Sequence, residues 1–424
     1  MAAGGHLGAA VGARAEPSRC AVTRTTPPWL AATCEAGLGA AALLFFPLLV
    51  VAPRGIAPLA ASAGLFSAGL ILPRGREPAH FRALAVPAAL LASLLVWGAV
   101  SAAWSPEPQR ALVEAARLAG IFAASLAMTA AADFVAAPRR LSALLLAGFA
   151  VALVMATLDL ATHGALTTPF SERAYQPAWL NQASVAFAVL LLPTSAALVV
   201  DGRRLAGWVF AALGAATIFV LAGTAAKAAL AAGVPFAVLC GYRRAWAARG
   251  AAVLVVLAIV TAPLTFARLD GVSGLVHVAD MVKLSAGHRL LIWSFVGDRV
   301  AEHPLRGWGL DSSRAIPGGK EPIRLNEVWL PLHPHNAPLQ LWLELGVPGV
   351  VPFALFAGWL WLAFGRTDWQ HLYAAAAGGG LAAAFVASVA TYGVWQEWWE
   401  GTLSFSLFMT LVMARVAPAA VAAR

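Results

Sequence analysis

Two histidines, His333 and His335, stand two residues apart in the stretch LHPHNAPLQLWLELGVPG, which runs from Leu332 to Gly349. The ordinary pKa of an imidazole is about 6.5, so a histidine here could take a proton from a hydroxyl group or bind a metal ion. No carboxylate or thiol stands directly beside the pair to complete a metal site. A third interpretation is a histidine at the membrane surface, in front of a membrane helix. The residue types alone leave these interpretations open.

The residues that follow His335 are typical of a helix start. Asn336 is a preferred N-cap residue, and Pro338 is tolerated in a first turn because that turn needs no donor at its position. Pro348, inside the apolar run, can kink the helix. His335 is therefore predicted to stand at the mouth of a helix, where the N-terminus also favours anions.

The composition places this helix in a membrane. The chain has 424 residues, of which 60% are hydrophobic and 12% charged, and its mean hydropathy is +0.76. Soluble domains contain roughly 25% charged residues. The net charge of +9 does not indicate a nucleic-acid partner, because the arginines form small clusters between apolar runs rather than one basic face.

A membrane-spanning helix needs about 20 apolar residues. By this criterion twelve runs are predicted to span, with the approximate limits 29–52, 55–73, 83–104, 116–137, 141–162, 179–200, 205–223, 226–242, 250–267, 340–364, 371–393 and 401–420. The breaks at Arg54 and near Thr224 are short, so each flanking pair of runs could also be one bent helix.

The distribution of arginine predicts the orientation of these helices. Positive residues concentrate in alternate connections, which the positive-inside rule assigns to the cytoplasm. These connections contain Arg74, Arg76 and Arg82; Arg139 and Arg140; Arg203 and Arg204; Arg243, Arg244 and Arg249; and Arg366. The N-terminal tail, with Arg14, Arg19 and Arg24, belongs to the same set. Both termini are therefore predicted to be cytoplasmic, on either side of an even number of spans.

One connection on the opposite side, 268–336, is long and polar. Its sequence HRLLIWSFVGDRVAEHPLRGWGL has apolar residues at helical spacing and then stops at His303-Pro304, which predicts an amphipathic helix at the membrane surface. We predict an all-α integral membrane protein with about twelve transmembrane helices and one long periplasmic loop that contains short helices. Its parts are a cytoplasmic tail at 1–28, helices at 29–267, the periplasmic loop at 268–336, helices at 337–420 and a cytoplasmic C-terminus at 421–424.

Motifs for nucleotide and metal chemistry are not seen in the sequence. GGKEP lacks the Ser or Thr of a phosphate-binding loop, and neither HExxH, GxSxG nor an Asp-x-Asp pair occurs. These absences argue against the use of ATP and against metal-assisted phosphoryl chemistry, but they leave open a reaction driven by an already activated substrate. A secondary transporter is the alternative from another class, with Lys227, Asp159 and Asn181-Gln182 as its intramembrane polar groups.

The spacing of the opening stretch resembles a family signature. His335-Asn336 is followed by nine residues, Gly346, two residues and Gly349. This resembles bacterial O-antigen ligases, which belong to a family of membrane glycosyltransferases that includes O-antigen polymerases. Arg289, Trp293 and HPLRGWG at 303–309 also resemble that family's Arg–aromatic helix and Pro–Gly element in the outer loop.

The resemblance implies a reaction and a set of partners. A glycan on undecaprenyl pyrophosphate would be transferred to a sugar hydroxyl of lipid A core at the outer face of the bacterial inner membrane. The reaction would invert the anomeric centre and need no metal, cofactor, ATP or nucleic acid. A polymerase that extends lipid-linked glycan, or an enzyme that glycosylates protein hydroxyls, remains an alternative within the same family.

The chemistry suggests a role for each candidate residue. His335 would be the catalytic base, and Arg289 would bind and stabilise the leaving pyrophosphate, because a guanidinium binds phosphate oxygens in pairs. Further pyrophosphate-binding candidates are Arg173, Arg268 and Lys227, each of which could instead be an anchor to lipid headgroups. Asn336, Gly346 and Gly349 form a predicted helix-packing motif, in which the glycines admit another helix or a lipid tail. Glu397 and Glu400, in WQEWWE, could orient His335 or bind sugar hydroxyls.

Overall fold

The computed structural model describes residues 26–72, 78–170 and 174–416, without the side chains of 78–82 and 170. The predicted cytoplasmic tail, up to residue 25, and the predicted C-terminus at 421–424 lie outside the described residues. The described α-helices are α1 Pro28–Val51, α2 Ile56–Ile71, α3 Pro78–Val100, α4 Pro108–Ala131, α5 Pro138–Ala161, α6 Asn181–Val200, α7 Arg204–Val220, α8 Thr224–Val260, α9 Ala262–Thr265, α10 Leu275–Val282, α11 Leu284–Glu302, α12 Ala337–Gly365, α13 His371–Ala390 and α14 Glu397–Ala414. A two-stranded antiparallel hairpin pairs β1 Pro322–Arg324 with β2 Glu327–Val328.

The helices confirm the prediction of an all-α membrane protein. Within the described residues, nine helices are long and apolar enough to cross a membrane. One of them, α8, has 37 residues and is broken at Arg243, where φ is −146° and ψ is 58°. The remaining predicted runs correspond to the two arms of α8, to α7 with 17 residues and to α14 with 18. The short breaks near Arg54 and Thr224 each separate two helices.

The fourth span differs most from its predicted start. Hydropathy places that start at 116, whereas α4 begins at Pro108. The first two turns of α4 carry charged side chains that pair within the protein, as in the 2.9 Å contact between Arg117 Nη1 and Glu114 Oε2. A hydropathy average cannot detect this pairing, so it begins the run too late.

Contacts between connections show that the long helices alternate in direction. At one end of the bundle, Trp104 Nε1 donates to the carbonyl of Gly307 at 3.2 Å, and the Tyr392 hydroxyl donates to the carbonyl of Asn181 at 3.2 Å. At the opposite end, Arg415 Nη1 donates to the carbonyl of Ala132 at 2.7 Å. We call the first end, which also holds the start of α12, the site end.

The core of the bundle is built from aromatic and small side chains. Phe46 stacks on Phe149 with ring centroids 3.9 Å apart, and Phe187 of α6 contacts both rings at 5.2 Å from Phe149 and 5.7 Å from Phe46. The α13 residues 374–380 are all Ala or Gly and are all buried. Small residues let helix backbones approach closely, and such packing stabilises helix association in a bilayer. α13 packs in this way against α8 and α6.

The segment between α8 and α12 is folded rather than extended. Its longest helix, α11, buries Ile292, Val296 and Val300 against the first turns of α12 and against Ile316 and Leu330 of the following loop. The ion pair between Arg324 of β1 and Asp280 of α10, at 3.0 Å, ties the hairpin to the short helix. This packing fixes one face of α11 next to the start of α12.

Candidate active site at the start of helix α12

The local backbone places His335 directly in front of α12. Asn336 has a φ of −152°, and its side-chain oxygen accepts from the backbone N–H of Leu339 at 3.0 Å, which confirms the predicted N-cap. His335 itself has a φ of +56°, which is uncommon for a residue with a side chain. This left-handed conformation turns the chain sharply before the helix and directs the imidazole toward the end of α13.

A hydrogen bond fixes the tautomer of His335. Its Nδ1 lies 2.7 Å from the carbonyl oxygen of Thr391, just after α13. Because a carbonyl can only accept, Nδ1 carries the proton and donates it. The neutral ring therefore has its lone pair on Nε2, which is the form needed to take a proton from a substrate hydroxyl.

The surroundings keep His335 neutral. Burial and, to a smaller extent, the positive charge of Arg289 lower the pKa of His335 to about 4, while the bond to Thr391 opposes the shift. Burial disfavours any charge on the ring, and the guanidinium disfavours a second positive charge beside it. At neutral pH the imidazole is thus in its basic form without depending on the substrate.

This low pKa predicts an unusual pH dependence. His335 becomes protonated, and hence inactive as a base, only as the pH falls through its pKa of about 4. We expect kcat/KM to be nearly constant between pH 7 and pH 5. The reactive form of a base with the ordinary pKa of about 6.5 would instead fall about 25-fold over the same interval. Initial rates measured from pH 4 to pH 8 distinguish the two profiles, and a tenfold fall per pH unit beginning near 6.5 would contradict the assignment.

Arg289 is anchored beside His335. Its Nη1 donates to the carbonyl oxygen of Ala390 at 2.5 Å, so Arg289 and His335 bind two consecutive carbonyls at the end of α13. One helical turn further along α11, Trp293 Nε1 donates to the carbonyl of Pro334 at 2.8 Å and fixes the histidine loop to α11. The arginine of the sequence pattern thus binds the end of α13, while the following aromatic residue positions the histidine loop.

The charge of Arg289 has no carboxylate partner in the part of the chain that the structure describes. Among the described residues, Arg289 forms no ion pair with a carboxylate, whereas Arg110, Arg299 and Arg324 each form at least one. Burial lowers the pKa of Arg289, since removing a cation from water disfavours its charged form. A half-buried guanidinium of this kind is suited to bind an anionic ligand.

His333 stabilises the loop that carries His335. Its Nδ1 accepts from the backbone N–H of His335 at 3.1 Å, and Gln396 Nε2 lies 3.1 Å from its Nε2. The two imidazole rings are 4.3 Å apart. His333 is buried, and burial lowers its pKa to about 2. Both of its ring nitrogens are thus occupied by contacts that stabilise the turn, in contrast to Nε2 of His335.

Gly346 breaks α12 next to this turn. Its φ of +57° and ψ of −159° are non-helical, so the kink lies two residues before Pro348. The segment from Pro304 to Gly309 packs into the break. The backbone N–H groups of Trp308 and Gly309 donate to the carbonyls of Leu343 and Glu344 at 2.9 and 2.7 Å. Gly346 is thus packed against a loop rather than against another helix or a lipid tail. It joins HPLRGWG to α12, whose N-cap is Asn336.

A side chain at Gly346 is expected to destabilise the protein. The backbone conformation at Gly346 is accessible mainly to glycine, and a Cβ there would lie 2.7 Å from the backbone carbon of Leu305. We expect Gly346→Ala to lower the free energy of unfolding by about 1–3 kcal/mol. Gly250→Ala is the control, because a Cβ there meets nothing within 4 Å. Thermal unfolding in detergent measures both, and equal stability of the two variants would contradict the role of Gly346.

Glu344 is a site residue that the sequence analysis did not single out. Its carboxylate is fully buried in α12 and accepts five hydrogen bonds. The donors are the backbone N–H groups of Asp311 and Ser313, the Ser313 hydroxyl, the Gln340 amide and the Trp395 indole. Glu344 therefore joins α12 to the loop before it and to the loop after α13. A glutamate inside an apolar helix was the signal available in the sequence.

The structure does not bring all of the other predicted phosphate-binding residues to His335 and Arg289. Arg173 lies outside the described residues. Arg268 is exposed and pairs with Asp298 at 3.6 Å. Asp298 is nine residues beyond Arg289 on α11, or about 13 Å along the helix, so the structure does not bring Arg268 to His335. Lys227 is half-buried in the first turn of α8, at the site end.

One carboxylate of WQEWWE also has its own partner. Glu397 forms an ion pair with Arg117 of α4, and within WQEWWE it is Gln396 that reaches His333. Asp159, a candidate of the transporter alternative, accepts from the backbone N–H groups of Leu166 and Thr167 at 2.9 and 3.0 Å. Its carboxylate therefore stabilises the loop that follows α5. Within the described residues, no three His, Cys, Asp or Glu side chains form a group that could hold a metal ion.

Fold and site together define a class: a multi-pass membrane protein with a neutral histidine at one end of the bundle, beside an arginine that has no carboxylate partner among the described residues. Comparison with known proteins agrees with this class. Residues 209–354 match the family model described as O-antigen ligase. The resemblance inferred from the spacing of His335, Gly346 and Gly349 is thereby confirmed over this segment.

Curated relatives occur in the genus Rickettsia. The chain is 37% identical over 119 residues to the Rickettsia conorii protein named "Putative polysaccharide ligase RC0486", an alignment that covers 27% of this chain and 29% of the relative. A Rickettsia bellii protein of the same description is 29% identical over 167 residues, covering 38% and 40% of the two chains. The alignments thus span less than half the length of these relatives.

Proposed function

We propose that the protein is an O-antigen ligase, a membrane glycosyltransferase that transfers a glycan from undecaprenyl pyrophosphate to a sugar hydroxyl of lipid A core. The observation that carries the proposal is the pair His335 and Arg289, held on consecutive carbonyls at the mouth of α12. One residue offers a base and the other a cation, which are the two functions that this transfer requires. The family match over 209–354 supports the same substrate class.

The proposed reaction is a single displacement. Nε2 of His335 takes the proton from the acceptor hydroxyl as that oxygen forms a bond to the anomeric carbon. The bond from the anomeric carbon to the pyrophosphate oxygen breaks at the same time, and its electron pair leaves with the lipid pyrophosphate. Arg289 stabilises the negative charge that this leaving group gains. Attack and departure on opposite faces invert the anomeric configuration, and the sugar–pyrophosphate bond supplies the driving force without ATP, cofactor or metal.

The proposed location is the bacterial inner membrane, with the site end in the periplasm. One observation supports this orientation. Among the described residues, the arginine-rich connections lie at the end opposite the site, as the positive-inside rule requires for the cytoplasm.

A transfer assay tests the proposal. Purified protein in lipid nanodiscs is supplied with undecaprenyl-pyrophosphate-linked glycan and lipid A core in the presence of excess chelator. We expect glycan-bearing lipid A core to accumulate, with its new linkage inverted relative to the donor. Absence of this product, while lipid-linked glycan is extended or protein hydroxyls are glycosylated, would overturn the ligase assignment in favour of a polymerase or a protein glycosyltransferase.

A further inference from the structure

A second group of ionisable side chains lies at the site end, between α4 and α14. It comprises Glu114, Glu397 and Glu400 together with Arg117, and we call it the acidic cluster. Arg117 joins the two helices, because its Nη1 lies 2.9 Å from Glu114 Oε2 and its Nη2 pairs with Glu397. Glu400 follows Glu397 by one helical turn and interacts electrostatically with both Glu114 and Arg117.

The acidic cluster contains acceptors that the protein leaves unused. Glu114 is 3% exposed, yet its Oε1 has no hydrogen-bond partner among the described residues. The same holds for the buried Oε2 of Glu400. Buried polar atoms are nearly always hydrogen-bonded, so unpaired acceptors indicate a ligand that brings donors. Hydroxyl groups of a sugar are donors of this kind, whereas a pyrophosphate would be repelled by the carboxylates.

The acidic cluster is continuous with the proposed catalytic residues. Gln396, the residue before Glu397, lies 3.1 Å from the ring of His333, which in turn contacts the ring of His335. Arg314 interacts electrostatically with both Glu114 and His333. The loop 391–396 begins with Thr391, whose carbonyl binds His335, and ends beside the acidic cluster. Arg289 binds the carbonyl of Ala390, the residue directly before this loop.

We propose that the acidic cluster is the subsite for the acceptor sugar, which it holds by hydrogen bonds from ring hydroxyls to Glu114 and Glu400. This inference rests on the proposed function. The position of Glu397 and Glu400 in the first turn of α14 is also favourable for the helix dipole. That effect does not account for Glu114, which lies in the second turn of a different helix and is buried with one oxygen unpaired.

Separate Glu114→Gln and Glu400→Gln variants test the subsite. Each keeps the side-chain volume but replaces one acceptor oxygen with an amide nitrogen, which can only donate. With saturating lipid-linked glycan and varied lipid A core, we expect the KM for the acceptor to rise at least tenfold. The KM for the donor, and the slow hydrolysis of the donor by water without acceptor, should not change. Glu302→Gln is the control, because Glu302 pairs with Arg299 at 2.7 Å at the far end of α11.

A binding measurement separates this inference from the proposed function. Binding of lipid A core to the protein in nanodiscs, followed by tryptophan fluorescence, is expected to weaken at least tenfold in both variants, whether or not the wild type transfers glycan. Unchanged binding and unchanged acceptor KM in the folded variants would overturn the subsite alone. If a buried substitution prevents folding, Glu397→Gln, at a side chain that is 46% exposed, replaces it and is expected to weaken binding in the same direction.

Discussion

Replacing His335 with alanine is expected to reduce the turnover number for glycan transfer by about 10²–10⁴-fold, the range for the loss of a positioned general base. The imidazole is held by Thr391 with its lone pair on Nε2, and alanine offers no atom to take the hydroxyl proton. Binding of the lipid-linked donor should change little, because the neutral ring contributes no charge to the pyrophosphate. The measurement is kcat for transfer at saturating donor and acceptor.

An exposed histidine provides the control for this experiment. His277, on α10, is exposed, and His277→Ala is expected to retain wild-type kcat. The residual activity of His335→Ala should also lose the pH dependence of the wild type at low pH. If His335→Ala kept a kcat within about threefold of the wild type while remaining folded, another group would have to be the base, and the proposed role would fail.

Substitution of Arg289 is expected to have the second large effect. Arg289→Ala should lower kcat by about 10²–10³-fold, the range seen when one preorganised donor to a developing anion is removed. Arg289→Lys should recover only part of this loss, because an ammonium keeps the charge but lacks the planar fork that binds two phosphate oxygens. Single-turnover rates with saturating lipid-linked glycan measure the effect on the chemical step.

A second arginine on the same helix serves as the control for Arg289. Arg299 lies near the other end of α11 and pairs with Glu302 at 2.7 Å, so Arg299→Lys should leave the rate unchanged. Because Arg289 also binds the carbonyl of Ala390, the thermal stability of each variant must be compared with its rate. An Arg289→Lys variant as active as the wild type would show that a bidentate contact with the leaving group is not needed.

Part of the site could be predicted from the sequence because it depends on short-range patterns. The start of α12 follows from the N-cap Asn336 and Pro338, whose effects are local. The family resemblance was readable from the spacing of Gly346 and Gly349 to His335. The physical role of Gly346 could not be predicted, because the sequence favoured a kink at Pro348 and another helix packed against the glycine. The positive φ and the contact with the 304–309 segment appear only in three dimensions.

The ranking of basic residues shows the limit of sequence reasoning more clearly. Arg268 and Arg289 both precede α12 on the same predicted side of the membrane, and both suit a phosphate. Folding pairs Arg268 with Asp298 at the surface and leaves Arg289 half-buried without a carboxylate partner in the described chain. Charge pairing depends on which helices meet, and no local pattern encodes this information. The same holds for Glu114, which hydropathy left outside its helix.

The sequence by itself determined the class of this protein: the apolar runs require a membrane bundle, and the spacing of His335 with Gly346 and Gly349 indicates the family. These properties depend on composition and on neighbouring residues, and a linear reading is sufficient for them. Only the tertiary structure decided that Nδ1 of His335 donates to Thr391, that Arg289 binds the adjacent carbonyl, and that Glu344 joins the surrounding loops. Those choices arise from contacts between segments far apart in the chain, where burial and the geometry of hydrogen bonds select one partner among many.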